Sequence, residues 1–303
     1  MEEKLEHNEW RGKTDGLPWM HKLLVRVLSV LPLWMVYIPL ALVVPFYMAG
    51  NLKGYRAQYH FFRQRLGKSP VTAFFHVYAN HFRFGQIIVD RFAAYGGHRF
   101  RFEVDGQELY DNLASAEGGF VQISSHTGSY ELAGYSLKQQ MKTLFALVFF
   151  GEAQIIMANR AKLFTPHGVE MVPVMPDMSH IFALNNALRD GHIVSIPGDR
   201  IFGSQKAVRC RFFDADADFP VGPFQMALTR GVPVITVFVM KKSLNTYHIT
   251  VRRLEVEEDK LLTTGMQRRQ ERLQQLAQHY ASELEAVVRQ YPRQWFNYFE
   301  FWQ

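Results

Sequence analysis

The sequence predicts an α/β fold, with a mostly parallel central sheet flanked by helices and an N-terminal membrane-associated helical segment. The chain has 303 residues and a hydrophobic content of 48%, enough for a full-sized core. An uncharged apolar stretch runs from Val27 to Leu52. After residue 97, short β-branched or aromatic runs alternate with helical patterns, which is typical of a parallel sheet. We therefore expect a membrane-anchoring and amphipathic helical region over residues 1–100 and an α/β domain over residues 101–303, integrated as one unit.

The apolar stretch is long enough to cross a bilayer, whose hydrocarbon core needs about 20 helical residues. Trp34 and Tyr47 are amphipathic aromatics of the kind found at membrane interfaces. Pro32, Pro39 and Pro45 each remove a helical hydrogen bond, so we do not expect a straight helix. A kinked span, a broken hairpin within one leaflet and a buried core helix are all compatible with this pattern.

Residues 53–100 are predicted to form an amphipathic helical region, in which aromatic and arginine residues are interleaved. At residues 67–70 one helix ends and another begins, with Ser69 as its cap and Pro70 at the first helical position. Two interpretations are open for this region. It lies on a membrane surface with its basic residues near headgroups, or its phenylalanines pack on the domain behind it.

The elements of the α/β domain follow from the alternation of patterns. The predicted strands are Phe120–Ser124, Leu144–Phe149, Val169–Val174, Ile193–Ile196, Val234–Val239 and Tyr247–Val251. The predicted helices are Tyr130–Gln139, Ser179–Arg189, Pro223–Thr229 and a long, polar C-terminal helix over Leu261–Gln290.

Composition and charge exclude several classes of protein. One cysteine, Cys210, excludes an intramolecular disulfide framework and a four-cysteine zinc site, and we expect it to be packed in a strand. The formal net charge of +6 favours anionic partners such as acidic lipid headgroups or phosphopantetheine-bearing carriers. No nucleic-acid motif accompanies the charge, so nucleic acid is not an expected partner. The histidines lack the spacing of a metal site, and the alternating aspartates of residues 214–218 are interpreted as a solvated turn, so no metal is expected.

The stretch most informative about chemistry is GFVQISSHTGSYEL, residues 119–132. A buried strand ends at Ser124, a turn contains His126, and a helix begins near Ser129 with Glu131 in its first turn. Residues after parallel strands face the crevice where α/β proteins place their sites. There His126 can reach a substrate hydroxyl and Glu131 can meet the far ring nitrogen, while N–H donors at the helix start near Ser129 can hold an oxyanion or phosphate. Because Ser129 is not in a G-x-S-x-G elbow, serine hydrolase chemistry is disfavoured.

His126, four residues, then Glu131 resembles the H-x4-D/E motif of the lysophospholipid acyltransferase superfamily. The branch that the chain is most similar to is the bacterial lipid A biosynthesis (late) acyltransferase family. Three further stretches carry the resemblance along nearly the whole chain: EWRGKTDG at 9–16, SIPGDR at 195–200 and QWFNYFEFW at 294–302.

The resemblance implies roles for individual residues. His126 is expected to be the general base and Glu131 its orienting partner. Asp199 matches the aspartate of the family's third block, and Arg200 beside it is expected to meet a phosphate or carboxylate. Arg160 matches an arginine that binds the acceptor's phosphate. Glutamate at the acid position, where glycerophosphate-type enzymes carry aspartate, points to the lipid A-like branch.

The resemblance also implies the reaction and its place in the cell. A fatty acyl chain is expected to pass from an acyl carrier protein or coenzyme A thioester to a hydroxyl or amine of a lipid acceptor, without a further cofactor. The expected location is the cytoplasmic face of a bacterial inner membrane. A lipid A precursor, an amino-acid lipid and an aryl polyene pigment are open as acceptors. A non-catalytic lipid-binding protein and a hydrolase are the alternatives to an acyltransferase.

Overall fold

The N-terminal part of the protein is a succession of helices. The computed structural model describes residues 18–132, 137, 142–148, 167–175, 177–201, 206–261 and 264–302. The helices of this part are α1 (Pro18–Leu28), α2 (Leu33–Gly50), α3 (Leu52–His60), a π-helical turn over Phe61–Arg65, and α4 (Pro70–Tyr95). The predicted start of α4 is confirmed, because the Ser69 side chain accepts a hydrogen bond from the Thr72 N–H and Pro70 opens the helix.

Helix α2 carries most of the uncharged stretch and is a candidate membrane segment. It has 18 residues, so its length is about 27 Å, close to the hydrocarbon core of a bilayer. Of the helices that the structure describes, it alone is long and apolar enough to cross a membrane. The helix continues through Pro39 and Pro45. The helical structure of the uncharged stretch is interrupted at residues 29–32, between α1 and α2. One face packs on the protein through Leu33, Tyr37, Val44 and Met48.

In the part of the chain that the structure describes, the central sheet has seven strands and is mostly parallel, as predicted. The strands are β1 (Arg101–Asp105), β2 (Phe120–Ser124), β3 (Leu144–Val148), β4 (Val169–Pro173), β5 (Ile193–Pro197), β8 (Val234–Lys241) and β9 (Thr246–Leu254). Their order across the sheet is β1-β9-β8-β2-β5-β3-β4. The β8–β9 pair is antiparallel, whereas β2 lies parallel to both β5 and β8 at the centre. All residues of β2 are buried, which is typical of a strand covered on both faces.

Helices flank the sheet, and a separate hairpin packs beside it. The remaining helices with full bounds are α5 (Gln107–Ser115), α6 (Ser179–Arg189), α7 (Gly222–Arg230) and α8 (Gly265–Gln290), the last beginning later than predicted. The hairpin joins β6 (Ala207–Phe212) to β7 (Ala215–Pro220). Cys210 lies in β6 and is buried, as predicted.

The interpretation of residues 214–218 as a solvated turn was wrong. Asp214 lies in the turn, but Asp216 and Asp218 lie in β7 and pair with Arg211 and Arg209 of β6. Their outward side chains alternate with buried Ala217 and Phe219, and this period of two is the mark of a strand.

Two hydrophobic cores cover the two faces of the sheet, and the N-terminal helices contribute to both. One core joins Val44 of α2 and the aromatic turn after α3 to the hairpin, α8 and the C-terminal Trp295. The other joins Tyr37 and Phe92 to the β8–β9 side of the sheet. Phe61 packs edge-on against Trp295 with ring centroids 4.9 Å apart. The C-terminal segment is therefore enclosed between the N-terminal helices and the sheet.

Candidate active site

Sheet register brings His126 and Asp199 together at the carboxyl ends of two neighbouring strands. Ser124 at the end of β2 is aligned with Pro197 at the end of β5. His126 and Asp199 each follow their strand by two residues, so they emerge side by side at one edge of the sheet. This edge is where open α/β sheets place their sites.

Asp199 holds His126 with two hydrogen bonds. The His126 backbone N–H donates to Asp199 Oδ2 at 2.8 Å, and His126 Nδ1 lies 2.8 Å from Asp199 Oδ1. Because an ionised carboxylate can only accept, Nδ1 carries the proton and Nε2 keeps its lone pair. The Asp199 side chain is buried, whereas that of His126 is 17% exposed, so the ring keeps an opening to its surroundings.

The electrostatics of the pair favour a neutral imidazole beside an ionised carboxylate. Burial lowers the pKa of His126, the positive charge of Arg200 lowers it further, and Asp199 opposes both. For Asp199, burial alone raises the pKa. In the acidic range where Asp199 titrates, the charge of protonated His126, the hydrogen bonds from His126 and the charge of Arg200 outweigh that effect and hold the pKa of Asp199 below its usual range. An imidazole that is unprotonated near neutral pH can accept a proton from a substrate.

The loop after His126 is fixed by backbone contacts to β8. Gly128 has a φ of +49°, and a Cβ at this position would lie 1.9 Å from the Val239 carbonyl oxygen, so glycine is required. The Ser129 N–H donates to that same carbonyl at 2.7 Å.

The C-terminal segment, residues 294–297, holds the other side of the loop. The Gly128 N–H donates to the Gln294 carbonyl at 2.8 Å, and the Phe296 N–H donates to the His126 carbonyl at 2.9 Å. Buried amides of Gln58 and Asn80 donate in turn to the Trp295 carbonyl at 3.1 and 2.9 Å. The segment thus links α3 and α4 to the histidine.

Two expectations about this loop require correction. Glu131 was expected to orient His126, but Asp199 occupies the position beside Nδ1. The Glu131 carboxylate instead accepts from Arg91 Nη1 at 2.7 Å and from the Tyr95 hydroxyl at 3.3 Å, both on α4. The reason is local geometry: residues 130–132 are already helical, and the turn directs Glu131 toward α4.

Ser129 was expected to lie at a helix start that offers N–H donors to substrate. Its side chain is 3% exposed and its N–H is already bonded to the Val239 carbonyl, so this donor is not directed at a ligand. Ser125 is likewise buried and shares a hydrogen bond of 2.8 Å with the Thr127 hydroxyl.

Arg200 follows Asp199 in the chain, and its expected contact with a phosphate or carboxylate stays a prediction. Its Nη2 donates to the Phe296 carbonyl at 3.0 Å, and its guanidinium lies 5.9 Å from the centre of the Phe299 ring. Its charge acts on both His126 and Asp199. Arg160 and the stretch at 9–16 lie outside the described residues. Within the described part of the chain, no group of three His, Cys, Asp or Glu residues is arranged to hold a metal.

A buried ionic cluster next to the loop was not predicted. Asp90 of α4 accepts hydrogen bonds from Lys241 at the end of β8, from Tyr247 of β9 and from Tyr37 of α2. Lys241 is also bound through its backbone to the Gln294 side chain, with contacts of 2.8 and 2.9 Å. Burial lowers the pKa of Lys241 and raises that of Asp90, and their mutual attraction opposes both shifts. Nothing in the local sequence around Asp90 signals this long-range pairing.

The fold and the site define an α/β protein with a carboxylate-held histidine at the carboxyl edge of a parallel sheet and an apolar helix beside it. The family model of the bacterial lipid A biosynthesis acyltransferases matches residues 87–303. The chain belongs to this family and is an acyltransferase.

Solved structures that show a distant likeness to the chain include PlsC, the 1-acyl-sn-glycerophosphate (LPA) acyltransferase from Thermotoga maritima, with 11% identity and a TM-score of 0.37 over 84% of this chain and 98% of that chain. No curated protein matches the sequence.

Proposed function

We propose that this acyltransferase moves a fatty acyl chain from an acyl carrier protein or coenzyme A thioester to a hydroxyl or amine of a membrane lipid, with His126 as the general base. The observation that carries the proposal is the pair of 2.8 Å contacts from Asp199 to His126. They fix the ring with Nε2 available to the acceptor. This differs from the roles that the resemblance implies, in which Glu131 orients the base.

Each step of the proposed reaction uses a group of this site. The acceptor hydroxyl or amine gives its proton to His126 Nε2 while its oxygen or nitrogen forms a bond to the thioester carbonyl carbon. The carbon–sulfur bond then breaks, and the leaving thiolate takes the proton back from the imidazolium. Asp199 stabilises the imidazolium between these steps, because its carboxylate lies against the protonated Nδ1.

The burial of Ser125, Ser129 and Cys210 supports direct transfer without an acyl-enzyme intermediate. Ser125 and Ser129 are buried within the loop. Cys210 is buried in β6, and burial raises the pKa of its thiol to about 12, so little thiolate is present at neutral pH. The attacking atom is therefore assigned to the acceptor.

The surface of α2 and the first turns of α4 supports a lipid acceptor and a membrane location. Since one side of α2 packs on the protein, the opposite side is left outward, and it is apolar. The exposed large side chains of this face are Trp34, Met35, Ile38, Leu42, Val43, Phe46 and Tyr47 of α2 with Val71, Phe74 and Phe75 of α4. Exposed apolar side chains in such number are typical of a membrane contact. We place the protein at the cytoplasmic face of the bacterial inner membrane, because acyl carrier protein and coenzyme A thioesters are present in the cytoplasm.

Glu131 and Arg160 have subordinate roles in this proposal. The ion pair of Glu131 with Arg91 joins the helix after the loop to α4, so Glu131 positions the loop and does not take the proton. Arg160 binds the acceptor's phosphate, as the family resemblance implies.

Comparative lipid mass spectrometry tests the proposed function and names the acceptor. Lipids are extracted from cells that carry the wild-type gene, a deletion, or a His126→Ala variant at matched protein level. We expect one lipid to lose a single acyl chain in the deletion and in His126→Ala. A His126→Ala strain with the wild-type lipid profile would remove His126 from the chemistry.

A further inference from the structure

Gln294 of the C-terminal segment binds the main chain at the end of β8 with both polar atoms of its side chain. The Lys241 N–H donates to Gln294 Oε1 at 2.8 Å, and Gln294 Nε2 donates to the Lys241 carbonyl at 2.9 Å. Gln294 is buried, so water does not compete for these bonds. An amide whose two ends are both bonded is held in one orientation, and the side chain therefore fixes the segment to the sheet.

The main chain of the same segment pairs with the loop that carries His126 (the His126 loop, residues 126–129). The Gln294 carbonyl accepts from the Gly128 N–H at 2.8 Å, and the Phe296 N–H donates to the His126 carbonyl at 2.9 Å. An antiparallel bridge lies between these two bonds. The loop and the segment therefore lie side by side as two short paired strands, and the His126 main chain is part of the pairing.

The end of β8 supports the His126 loop along two routes. The direct route is the bond from the Ser129 N–H to the Val239 carbonyl at 2.7 Å. The second route runs from Lys241 through the Gln294 side chain to the loop. Lys241 is itself fixed, because its ammonium group lies in the buried ion pair with Asp90. A rigid support of this kind is what a precisely placed catalytic side chain requires.

We propose that Gln294 is a positioning residue for the acyl transfer. Asp199 sets the orientation of the His126 ring, whereas Gln294 sets the position of the main chain that carries the ring. The inference rests on the proposed function, in which Nε2 of this ring takes the acceptor's proton. It adds a buried residue that acts on the general base through hydrogen bonds of the main chain.

The effect of losing this support follows from the distance that proton transfer requires. A general base works within about 2.6–3.2 Å of the atom whose proton it takes. A displacement of about 1 Å at the reacting groups can lower the rate about 10²-fold. Because the Gln294 side chain is buried against Lys241, its loss should change this distance and leave the binding of both substrates unaltered. We therefore expect a change in kcat at constant KM.

Gln294→Met tests this expectation, because methionine keeps the length of the side chain and removes both of its hydrogen-bonding ends. Acyl transfer is measured with the full-length protein in vesicles of lipid from a strain that lacks the gene, with donor and acceptor varied in turn. We expect kcat to fall about 10- to 100-fold, with KM for both substrates at the wild-type value.

The matched control is Gln278→Met, since Gln278 of α8 makes the same pair of bonds to the hairpin. The Arg211 N–H donates to Gln278 Oε1 at 2.8 Å, and Gln278 Nε2 donates to the Arg211 carbonyl at 3.0 Å. In the part of the chain that the structure describes, no hydrogen bond joins either residue to the His126 loop. We expect Gln278→Met to keep the kcat of the wild type.

Gln294→Glu adds a response to pH that a general loss of packing does not give. The carboxylate keeps an acceptor for the Lys241 N–H but has no donor for the Lys241 carbonyl, whereas the protonated acid has both. Burial favours the protonated form. The kcat of Gln294→Glu, divided by that of the wild type at the same pH, should therefore rise as the pH falls. The same ratio for Gln294→Met should stay constant.

A second measurement of loop position needs no turnover. Diethyl pyrocarbonate acylates neutral imidazoles, and peptide mass spectrometry gives the rate of this modification at His126, whose side chain is 17% exposed in the intact site. Gln294→Met should raise this rate by releasing the loop, and Gln278→Met should leave it unchanged. Thermal midpoints of the same samples establish that the proteins are folded at the assay temperature.

Each outcome decides the inference. A wild-type kcat in Gln294→Met, an equal loss in Gln278→Met, or a loss confined to KM overturns the positioning role. If Gln294→Met does not fold, Gln294→Glu replaces it, and a kcat ratio that does not change with pH overturns the role. If the wild-type protein transfers no acyl chain, the proposed function fails. The rates of His126 modification then decide, and equal rates in the wild type and in Gln294→Met overturn the positioning role.

Discussion

Replacing Asp199 by asparagine tests the assignment of the carboxylate that orients His126. The amide keeps the shape of the side chain but turns one acceptor into a donor. If its oxygen accepts from Nδ1, its NH₂ group faces the His126 backbone N–H, and two donors oppose each other. If its oxygen accepts from the backbone N–H, its NH₂ group donates to Nδ1 and moves the ring proton to Nε2, which then cannot take a proton from the acceptor.

The size of the effect follows from these contacts. Asp199 makes two hydrogen bonds of 2.8 Å to His126, and the one to Nδ1 strengthens as the imidazolium forms. A positioned general base contributes about 10²- to 10⁴-fold to the rate. We therefore expect kcat of Asp199→Asn to fall about 10²- to 10⁴-fold, which corresponds to about 3–5 kcal/mol in the barrier.

The pH dependence of kcat/KM gives the assay a readout beyond loss of rate. In the wild type, burial and Arg200 lower the pKa of His126, so the acid limb lies below the ordinary range of histidine. Asp199 raises the pKa of His126, so the loss of its charge in Asp199→Asn should move the acid limb to still lower pH. Arg200→Gln should move the limb to higher pH, because it removes a charge that disfavours the imidazolium.

Glu131→Gln is the matched comparison, since it makes the same chemical change in the neighbouring carboxylate. We expect a smaller loss of kcat and an unmoved acid limb, because Glu131 pairs with Arg91. The reasoning is refuted if Glu131→Gln shifts the acid limb and Asp199→Asn does not. That result would return the orienting role to Glu131.

Three further predictions concern the structure around the site. Gly128→Ala should cost about 1–3 kcal/mol of stability and inactivate the protein, since its Cβ meets the Val239 carbonyl at 1.9 Å; thermal denaturation and turnover measure both. Lys241→Met should cost about 3–5 kcal/mol because it leaves Asp90 buried and unneutralised, and adding Asp90→Asn should recover part of the loss in chemical denaturation. Phe46→Glu on the outer face of α2 should weaken binding to vesicles about 10- to 100-fold in a flotation assay without lowering the thermal midpoint; equal binding would contradict a membrane role for this face.

The position of His126 could be predicted from local sequence. The apolar run FVQIS is a covered strand, and the residues that follow a parallel strand face the site edge. Both facts depend on residues that are neighbours in the chain. The starts of α4 and α6 were predicted for the same reason, since capping and hydrophobic period are local.

The partner of His126 could not be predicted, because it depends on strand order. Asp199 lies 73 residues away and reaches the ring because β5 pairs with β2 in a register that aligns Ser124 with Pro197. The hydrophobic pattern of a strand does not indicate which other strands lie next to it in the sheet. Glu131 was close in sequence, but the turn at Gly128 and the helix after it direct its side chain to α4.

The role of the C-terminal segment could not be predicted from local sequence either. QWFNYFEFW was noted as a motif, but its contacts with the His126 loop and with α4 are made with residues more than 160 positions earlier, such as Gly128 and Asn80. The roles of buried Trp295 and of the amides that donate to its carbonyl can be recognised only when the N-terminal helices are folded against the sheet.

A measurement of acyl transfer by purified protein is the most direct test that the His126 imidazole is the general base. Wild-type and His126→Ala proteins are reconstituted in vesicles of lipid from the deletion strain and supplied with a radiolabelled acyl thioester, with thermal midpoint and vesicle binding measured on the same samples. The account predicts that transfer by His126→Ala falls at least about 10²-fold while both control measurements stay at wild-type values. Transfer at the wild-type rate by a folded, membrane-bound His126→Ala protein would contradict it.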